Sequence, residues 1–288
     1  MKGVIIYNAS FYGEGVKNQT EELKAEFEKL DVGVRILSSD SFTVKIEGDK
    51  VVTDIGEADF IVYLNKDVLA ARLLEKCGYK LFNSAFSIEL CDDKALTYAY
   101  LANSGVPLIK TVVAPNIYYG SLSDGYLERV SENLKYPIVV KVNKSSLGEG
   151  VYLAKDDESL KEICGNLGVA HIIFQEFYGE RGRDLRVIVI GGKAVAAMER
   201  INENDFRANI ELGGKGYSHE LSVAEKALAE RTAEILGLDY CGVDILAENG
   251  ELKVCEVNSN AFFKAVSAIS GKNVAKIYAE YIFAQNRG

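Results

Sequence analysis

The stretch from Tyr240 to Asn260, YCGVDILAENGELKVCEVNSN, constrains the fold of this chain more than any other. Two apolar runs, VDIL and LKVCEV, flank Asn249 and Gly250. An Asn-Gly pair supplies the positive φ angles that a tight reversal requires, so the pattern predicts a β-hairpin. The same stretch carries three oxygen-bearing side chains, Asp244, Glu256 and Asn258. Carboxylates in segments that favour burial must be paired or must hold a metal ion.

The length of the turn decides which side chains share a face of this hairpin. With a two-residue turn, Asp244 would pair with Cys255 and Glu256 would point to the opposite face, because side chains alternate along a strand. With a three-residue loop, Glu248-Asn249-Gly250, and Gly250 in the left-handed conformation, the three oxygen-bearing side chains share one face. We predict the three-residue loop. The opposite face would then consist mainly of Cys241, Val243, Ile245, Cys255 and Val257.

Two carboxylates and an amide oxygen, with no histidine or thiolate beside them on that face, form a donor set for a hard cation. Mg²⁺ or Mn²⁺ fits such a set, and Zn²⁺ does not. The alternative is an ordinary amphipathic hairpin whose acidic side chains face water. The spacing alone does not separate the two interpretations.

Composition and charge exclude several classes of function. The chain has 288 residues, of which 48% are hydrophobic and 26% charged, so it can bury a sizeable core in two or three lobes. Its net charge of −9 argues against nucleic acid or an anionic membrane as partner, since both favour a basic surface. No apolar run is long enough to span a membrane, and the initial run is too short for a secretory signal. We therefore expect a cytoplasmic protein.

The cysteine pattern agrees with that location. Five cysteines occur without any C-x-x-C spacing, and each lies within an apolar pattern. Reduced, buried thiols are the expectation for such a pattern. The two histidines are too few for a histidine-rich metal site.

The first 90 or so residues alternate between strand and helix patterns. GVIIY, an amphipathic segment over 17–30, VGVRIL and DFIVYLN follow one another, which is typical of a parallel α/β lobe. After them, CDDKALTYAYLANSGVP predicts a helix capped by Asp92 or Asp93, with Lys94 in its first turn. A lysine there opposes the helix dipole, so it is either merely solvated or helps to bind an anion.

A second lysine follows near residue 141. PIVVKV predicts a buried strand that ends at Lys141, and the loop NKSSLGEG contains Gly148 and Gly150. Backbone N–H groups and an ammonium converging where side chains are small suit a phosphate group. The loop matches neither the P-loop nor the dinucleotide motif, so alone it is weak evidence.

The C-terminal part carries further polar residues at intervals. DLRVIVIGGKAVAAMERI predicts a hairpin about Gly191-Gly192, and NENDFRANIELGGKGYS has no obvious core face, so we predict a mobile loop over a site. In chain order the polar set of this part is Gln175-Glu176-Phe177, Asp184-x-Arg186, Arg200, Arg207-x-Asn209, Asp244 and Glu256-x-Asn258.

Together with Lys94, Lys141 and the G-x-G loop, this ordered set resembles the ATP-grasp superfamily. Within it, the chain is most similar to the RimK-like amino-acid ligases. The resemblance rests on GRDLRVIVIGGKAVAAMERI, NDFRANIELGGKG and GLDYCGVDIL…LKVCEVN. It covers the chain from about residue 90 onward, whereas before that only the α/β pattern agrees.

The resemblance implies an α/β (α+β) fold of three lobes, with ATP held between the central and C-terminal lobes. The expected boundaries are an N-terminal lobe at 1–90, a central lobe at 91–173 and a C-terminal lobe with the metal site at 174–288. The resemblance also allows a homodimer or a homotetramer.

It further implies a role for each motif. Lys94 and Lys141 would hold the ATP phosphates under the loop that contains Gly148 and Gly150. The ATP site would also include Gln175, Glu176 and Phe177, the last two along the adenine, with Asp184 at the ribose, and Arg186, Arg207 and Asn209. Asp244, Glu256 and Asn258 would bind two Mg²⁺ ions, or Mn²⁺. Arg200, Arg207 and Lys141 would be the catalytic residues.

The implied reaction is that of an ADP-forming carboxylate–amine ligase. A carboxylate of a small molecule or peptide becomes an acyl phosphate, and an amine, from an amino acid such as glutamate, attacks it to form an amide. The alternatives are a phosphotransferase on the same fold and a nucleotide-binding module without catalysis.

The chain departs from the family pattern after Glu-Val-Asn. Many relatives continue there with a small residue, Ser-Pro-Gly or similar, whereas this chain has Ser259 to Phe263. The resemblance therefore does not transfer the identity of the substrates.

Overall fold

The first region of the computed structural model, which describes residues 1–11 and 13–287, is a parallel α/β layer. Its elements are β1 (Lys2–Tyr7), α1 (Glu14–Glu28), β2 (Gly33–Ser38), β3 (Val44–Glu47), β4 (Lys50–Thr53), β5 (Phe60–Leu64), α2 (Val68–Lys76), β6 (Leu81–Phe82) and α3 (Ala85–Asp92). The sheet order is β2-β1-β5-β6, with β3 and β4 forming a separate hairpin. Strands β1 and β5 lie at the centre of this sheet. Residues 3–6 of β1 and all residues of β5 are buried, as is usual for parallel strands that are covered on both faces.

Two helices occur where the sequence predicted one. Helix α3 begins after Ser84, whose side chain accepts a hydrogen bond from the Ser87 N–H. The chain then becomes extended at Asp93, whose carboxylate accepts from the N–H groups of Ala95 and Leu96 and so caps the next helix. The predicted capping aspartate is therefore confirmed as Asp93, and Lys94 is the first residue of that helix. No element was predicted over the residues of helix α3 that precede Cys91.

The second region holds an antiparallel sheet. Its elements are α4 (Lys94–Leu101), β7 (Thr111–Val113), α5 (Asp124–Asn133), β8 (Ile138–Val142), β9 (Val151–Ala154), α6 (Asp157–Leu167) and β10 (Ile172–Glu176). The strand order is β7-β10-β8-β9, and α5 and α6 cover one face around Phe174. The predicted boundary at residue 173 falls inside β10, all of which pairs within this sheet. Sheet membership changes only after Glu176.

The third region holds a five-stranded antiparallel sheet. Its elements are β11 (Arg183–Ile190), β12 (Lys193–Ile201), a 3₁₀ helix (Ile210–Leu212), β13 (Lys215–Ser218), α7 (Val223–Ile235), β14 (Tyr240–Glu248), β15 (Glu251–Asn258), α8 (Lys264–Ser270) and α9 (Val274–Gln285). The strand order is β13-β12-β11-β14-β15. The hairpin predicted about Gly191-Gly192 joins β11 to β12.

The β14–β15 hairpin has a shorter turn than predicted. Glu248 pairs with Glu251, so the turn has two residues, Asn249 and Gly250, with φ angles of 51° and 83°. The three-residue loop is therefore wrong. Asp244 nevertheless pairs with Glu256, because the register shifts by one residue between Asp244 and Ile245.

A β-bulge at Cys255 accounts for that shift. Val254 and Val257 both belong to the core on one face of the sheet. The two residues between them therefore both face the other side, which places Cys255 beside Glu256 rather than opposite it. The prediction that Cys255 shares the face of Val243 and Val257 is wrong for this reason.

The polar segment over 202–218 is more structured than a plain loop. It contains the 3₁₀ helix and β13, which pairs with β12. Ile210 packs against a core cluster, and the Asn202 side chain donates to the Leu212 carbonyl. The prediction that this segment has no core face is wrong, because Ile210 supplies one. Its mobility stays a prediction.

The first and third sheets share one hydrophobic core. The cluster joins Ile5 of β1 and Phe27 of α1 to Met198 of β12, Phe263 and Tyr278 of α9. A second cluster lies on the other face of the third sheet, between that sheet and α7. The second sheet has its own core. The first and third regions thus pack against each other through their apolar faces.

Candidate active site

One face of the third sheet changes from apolar to charged along its length. Near α8 and α9 this face carries Ile188, Met198 and Tyr240, which are buried in the shared core. Further along the same strands, Arg186 pairs with Asp244 and Asp184 pairs with Arg200 in the strand register. Residues two apart along a strand point to the same face of the sheet. The charged side chains therefore lie on the same face as the core residues, further along the strands.

These four side chains form a buried ion-pair network. Arg186 donates from Nε and Nη2 to the two oxygens of Asp244, at 2.8 and 2.7 Å. Arg200 donates from Nε and Nη2 to the two oxygens of Asp184, at 2.6 and 2.5 Å, and its Nη2 also lies 3.0 Å from Asp244 Oδ2. The Arg200 side chain is only 2% exposed. Removing one member would leave a buried charge unpaired, which costs about 3–5 kcal/mol.

The two carboxylates of the network differ in acidity. Burial would raise the pKa of Asp244, but the guanidinium groups of Arg186 and Arg200 outweigh burial and lower it. Burial raises the pKa of Asp184, and Arg200 offsets this only in part. Asp244 is therefore the member held most firmly as a carboxylate.

Glu256 lies beside this network at the centre of the site. Its carboxylate is paired with Lys94, with Nζ and Oε1 3.4 Å apart, and its side chain is 27% exposed. The Lys94 ammonium also donates to the carbonyl oxygen and the hydroxyl of Ser145, at 3.0 and 3.2 Å. Lys94 thus lies beneath the loop over 143–150 and ties it to the metal-binding candidate Glu256.

Lys141 is nearly buried and has one hydrogen-bond partner among the described residues, Cys255. The Lys141 Nζ and the Cys255 Sγ are 3.5 Å apart. Burial raises the pKa of the Cys255 thiol, although Lys141 opposes the effect. The thiol is a weak acceptor, so the ammonium of Lys141 keeps most of its hydrogen-bonding capacity for an anion.

A first pocket lies between the second and third sheets. Its lining includes the apolar side chains Ile109, Val139 and Leu246 and the amide of Gln175. Its charged part is lined by Lys141, Arg200, Arg207, Asp184, Asp244 and Glu256. Glu176, Phe177, Gly148 and Asn209 complete the wall, so most residues predicted to hold ATP meet here.

A second pocket lies between the first sheet, the loop over 143–150 and the third sheet. Asn8 follows β1, while Asn65 and Lys66 follow β5; all three line this pocket. The carboxyl ends of neighbouring parallel strands are a usual place for ligands in α/β folds. Arg186, Asn258, Asn260 and Phe262 line the opposite side. Glu256 and Asn209 line both pockets, so the two cavities meet at these residues.

Arg207 holds the loop over 143–150 in place. Its Nε and Nη2 donate to the two oxygens of Asp205, at 3.0 and 2.8 Å. Its Nη1 donates to the Gly148 carbonyl at 2.7 Å. The space beside Gly148, where a side chain would project, is filled by Leu212 and Asn209. The polar segment over 202–218 therefore lies directly on this loop.

Three residues predicted at the nucleotide, Arg186, Lys94 and Gly150, do not line the first pocket. Arg186, predicted at the nucleotide, lines the second pocket. Lys94 lies under the loop, and Gly150 packs against Val142 and Ser145 at the base of the loop. Asp184 does line the first pocket, but both of its oxygens accept hydrogen bonds from Arg200.

The sequence did not single out Cys255 or Lys66. Lys66 Nζ lies 2.9 Å from Ser146 Oγ and 3.4 Å from Asp92, which links the first region to the loop over 143–150. Polar residues directly follow β1 and β5 in the sequence, and this pattern could have predicted a ligand site at that edge of the first sheet.

The cysteines were expected to be buried, yet Cys77 and Cys255 are partly exposed. All five cysteines are free thiols.

A family model described as a RimK-like ATP-grasp domain matches residues 91–282, which includes every candidate site residue from Lys94 to Asn258. The chain belongs to the RimK-like ATP-grasp family. The resemblance drawn from the sequence motifs is thereby confirmed.

Relatives by sequence extend over nearly the whole chain. Beta-citrylglutamate synthase B of Danio rerio is 33% identical over 282 residues, which cover 91% of this chain and 68% of that protein. N-acetylaspartylglutamate synthase A of Homo sapiens is 32% identical over 284 residues, covering 90% of this chain and 70% of that protein. As a member of this family, the chain is an ADP-forming, ATP-dependent ligase.

Solved structures agree on the fold. A RimK-domain ATP-grasp protein from Sphaerobacter thermophilus superposes with a TM-score of 0.74 at 18% identity, covering 98% of this chain and 99% of that one. The D-alanine–D-alanine ligase of Bacillus anthracis complexed with ATP superposes with a TM-score of 0.72 at 14% identity, covering 100% and 99%. The predicted ATP-grasp fold is confirmed.

ATP-grasp ligases generally use ATP with divalent metal ions. Among residues 1–11 and 13–287, no group of three or more His, Cys, Asp or Glu side chains is arranged to hold a metal. Glu256 and Asp244, however, pair across β14 and β15, and Asn258 follows on the same face with a buried amide nitrogen that has no partner in the described chain. Oxygen donors of this kind suit Mg²⁺.

None of the helices in the described ranges is both long enough and apolar enough to cross a membrane.

Proposed function

We propose that this ligase joins the amino group of an amino acid to a carboxylate through an acyl phosphate, with ATP in the first pocket and the carboxylate in the second. The supporting observation is that the two pockets meet at Glu256 and Asn209. A γ-phosphate at that junction would lie within reach of both ligands. Proximity of this kind is a large part of catalysis in phosphoryl transfer.

The charges of the first pocket suit a triphosphate. The Lys141 ammonium has only a thiol as hydrogen-bond partner among the described residues, and Lys141 lines the pocket. Lys94 and the loop that contains Gly148 would complete the phosphate site, with Arg200 and Arg207 near the transferred group. The apolar residues Ile109, Val139 and Leu246 would enclose the base, with Glu176 and Phe177 along its edge. We place the nucleotide in this orientation.

The second pocket suits a polar acceptor. It combines Asn8, Asn65 and Asn260 with the charged groups of Lys66 and Arg186. Arg186 uses Nε and Nη2 for Asp244, which leaves Nη1 for a ligand. Two of the relatives are named for glutamate-containing products, so we propose glutamate as the amine substrate. The carboxylate is a small molecule or a peptide.

Asp244, Glu256 and Asn258 would hold the metal ions, Mg²⁺ or Mn²⁺. When bound, the ions would neutralise negative charge on the phosphates. Asp244 would share its carboxylate with Arg186 and Arg200, which fixes its orientation.

The chemistry balances in two steps. An oxygen of the substrate carboxylate attacks the γ-phosphorus of ATP, the bond to the bridging oxygen breaks, and ADP leaves. The amine then attacks the carbonyl carbon of the acyl phosphate, phosphate leaves, and the amine loses a proton. Arg200 and Arg207 would stabilise the phosphate charge of both steps through their positive charge, because their Nε and Nη2 groups are already bound to Asp184 and Asp205.

The test is release of ADP from Mg²⁺-ATP with pools of carboxylates and glutamate, repeated with hydroxylamine in place of glutamate. We expect ADP release to require a carboxylate, and hydroxylamine to yield a hydroxamate from the acyl phosphate. Glu256→Ala should abolish both reactions. Glu251→Ala, which removes an exposed carboxylate from the same strand, should retain them.

Other outcomes would select the alternatives. ADP release with a stable phosphorylated product and no hydroxamate would indicate a phosphotransferase. ATP binding without ADP release from any pool would indicate a binding module. Full activity in Glu256→Ala would contradict the proposed site.

A further inference from the structure

Apolar side chains from all three regions of the chain line the second pocket. The first region supplies three of them, the loop over 143–150 one, and the segment after β15 two: Phe11, Val16, Leu64, Leu147, Ala261 and Phe262. The pocket has a volume of about 480 Å³, which is within the range of sites that enclose a small organic molecule. Its lining is thus apolar over a larger part than the binding of a carboxylate alone requires.

The Phe262 ring contacts two parts of the first region. The rings of Phe11 and Phe262 are nearly parallel, with an interplanar angle of 13° and centroids 6.4 Å apart, which is within the distance at which aromatic rings interact. A side chain at Gly15 would begin 3.3 Å from the Phe262 ring, so the absence of one lets the ring pack on helix α1. Phe11 is still 48% exposed. The aromatic pair therefore has apolar surface left to bury against a ligand.

Leu147 adds to this surface from the loop over 143–150. Its φ angle is +57°, in the left-handed region that a leucine rarely adopts. Residues in such conformations persist only where the surrounding structure holds them, and they concentrate at ligand sites. Here the residue held in this way is apolar and lines the second pocket.

The positive charges that line this pocket already have partners in the protein. Lys66 Nζ lies 3.4 Å from Asp92, and Arg186 donates to both oxygens of Asp244. The lining also includes the exposed carboxylates of Glu149 and Glu211, which form no ion pair with the described residues. Among the described residues, the lining therefore offers donors such as Arg186 Nη1 for one carboxylate, but no unpaired cation for a second.

We propose that the carboxylate substrate is a monocarboxylate with an apolar side group, rather than a di- or tricarboxylate. Its apolar group packs against Phe11, Leu147 and Phe262, while its carboxylate faces Arg186 and the junction with the first pocket. This assignment rests on the proposed placement of the carboxylate in the second pocket, and it names the class of molecule that this pocket selects.

The test compares three ligands that differ only in their side group: N-acetylphenylalanine, N-acetylalanine and N-acetylaspartate. Their dissociation constants are measured with Mg²⁺ and a non-hydrolysable ATP analogue, so that no turnover is needed. The wild type should bind N-acetylphenylalanine about tenfold or more tightly than N-acetylalanine, because burial of a phenyl ring is favourable by at least that factor. N-acetylaspartate should bind no better than N-acetylalanine.

Variants of the aromatic pair separate recognition from structure. Phe262→Ala and Phe11→Ala should each lower the preference for N-acetylphenylalanine over N-acetylalanine by several-fold to tenfold, with little change for N-acetylalanine itself. Phe262→Leu keeps an apolar side chain and should retain part of the preference. The matched control is Phe86→Ala, which removes a phenylalanine of similar exposure, 49%, that lines neither pocket, and it should retain all of it.

The charge argument has its own variant. Glu211→Gln removes one unpaired carboxylate from the lining and should improve the binding of N-acetylaspartate relative to N-acetylalanine by a few-fold, the size of effect expected for an exposed charge. An unchanged ratio would remove the charge of the pocket as a reason for excluding dicarboxylates.

The proposal fails if N-acetylphenylalanine binds no more tightly than N-acetylalanine, or if N-acetylaspartate binds most tightly of the three. It also fails if Phe262→Ala weakens all three ligands equally, since Phe262 would then have only a structural role. Hydroxamate formation from Mg²⁺-ATP, carboxylate and hydroxylamine tests the proposed function separately. Hydroxamate without this selectivity would support the ligase and overturn the substrate class, whereas selective binding without any hydroxamate would do the reverse.

Discussion

Individual side chains in this site are held for a ligand rather than for stability. Lys141 is the clearest case, since its buried ammonium has a thiol as its one hydrogen-bond partner among the described residues. Lys94 differs, because it is paired with Glu256 and Ser145 in the protein itself. Burying a charge without a partner is costly, so the two lysines contribute with opposite sign to the stability of the free protein.

That contrast gives a prediction for Lys141→Met. Loss of the ammonium should weaken ATP binding by about 1.5–3 kcal/mol, the range for a hydrogen bond to a charged group. The free energy of unfolding should stay equal or rise, because an unpaired buried charge is removed. Nucleotide titration and urea unfolding measure the two quantities. Lys144→Met, at an exposed position on the loop that follows β8, should change neither.

The elements show where sequence patterns were sufficient. Asn249 and Gly250 predict a hairpin in any register, and Asp93 predicts a helix start, because both signals are local. The bulge at Cys255 could not be predicted, since it follows from Val254 and Val257 both packing in a core that other elements build. The two errors of turn length and alternation cancelled, which is why the prediction that Asp244 and Glu256 share a face is still correct.

Gly250 provides a test of the turn. Its φ angle is +83°, and open space surrounds the position where a side chain would project. Gly250→Ala should therefore destabilise the protein by about 1 kcal/mol through backbone strain alone. Gly165, inside helix α6, also has open space but an ordinary φ angle, so Gly165→Ala should stabilise by about 0.5–1 kcal/mol. Equal effects at the two glycines in urea unfolding would contradict this explanation.

The start of helix α7 gives a pH-dependent prediction. Burial would raise the pKa of Glu225, but hydrogen bonding with His219 and Ser222 outweighs burial and lowers it. A lowered pKa means that the carboxylate stabilises the fold above its unfolded pKa of about 4.3, and that this contribution is lost as the pH falls through the folded value. Glu225→Gln should thus cost about 1 kcal/mol at neutral pH and less in acid. A deficit in urea unfolding that is the same at both pH values would exclude the charge as its cause.

At the scale of the whole molecule, the first and third regions share one hydrophobic core, whereas the second sheet has a core of its own. Phe263 lies in the core that contains Ile5 of the first sheet and Met198 of the third, whereas Phe174 lies in the core of the second sheet. The sequence predicted the separate elements, but it could not show this arrangement. Contacts between residues more than 200 positions apart leave no local pattern, and the same is true of the second pocket and Lys66.

Hydrogen exchange can test the shared core. Phe263→Ala should cost about 3–5 kcal/mol and should reduce the protection of amides in both β1 and β12. Phe174→Ala should reduce protection in β8 and β10 instead. If Phe263→Ala leaves exchange in β1 unchanged, the two regions open independently and the shared cluster does not couple them.

Glu256 lies in the wall of both pockets. With ATP in one pocket and the acceptor in the other, as proposed, this single carboxylate would couple the two binding events. A ligand that changes the charge or position of Glu256 from one side alters the surface that the other ligand meets. By linkage, the factor by which bound ATP changes the affinity for the acceptor equals the factor by which bound acceptor changes the affinity for ATP. The order of addition can therefore change the rates of assembly of the ternary complex, but not its stability.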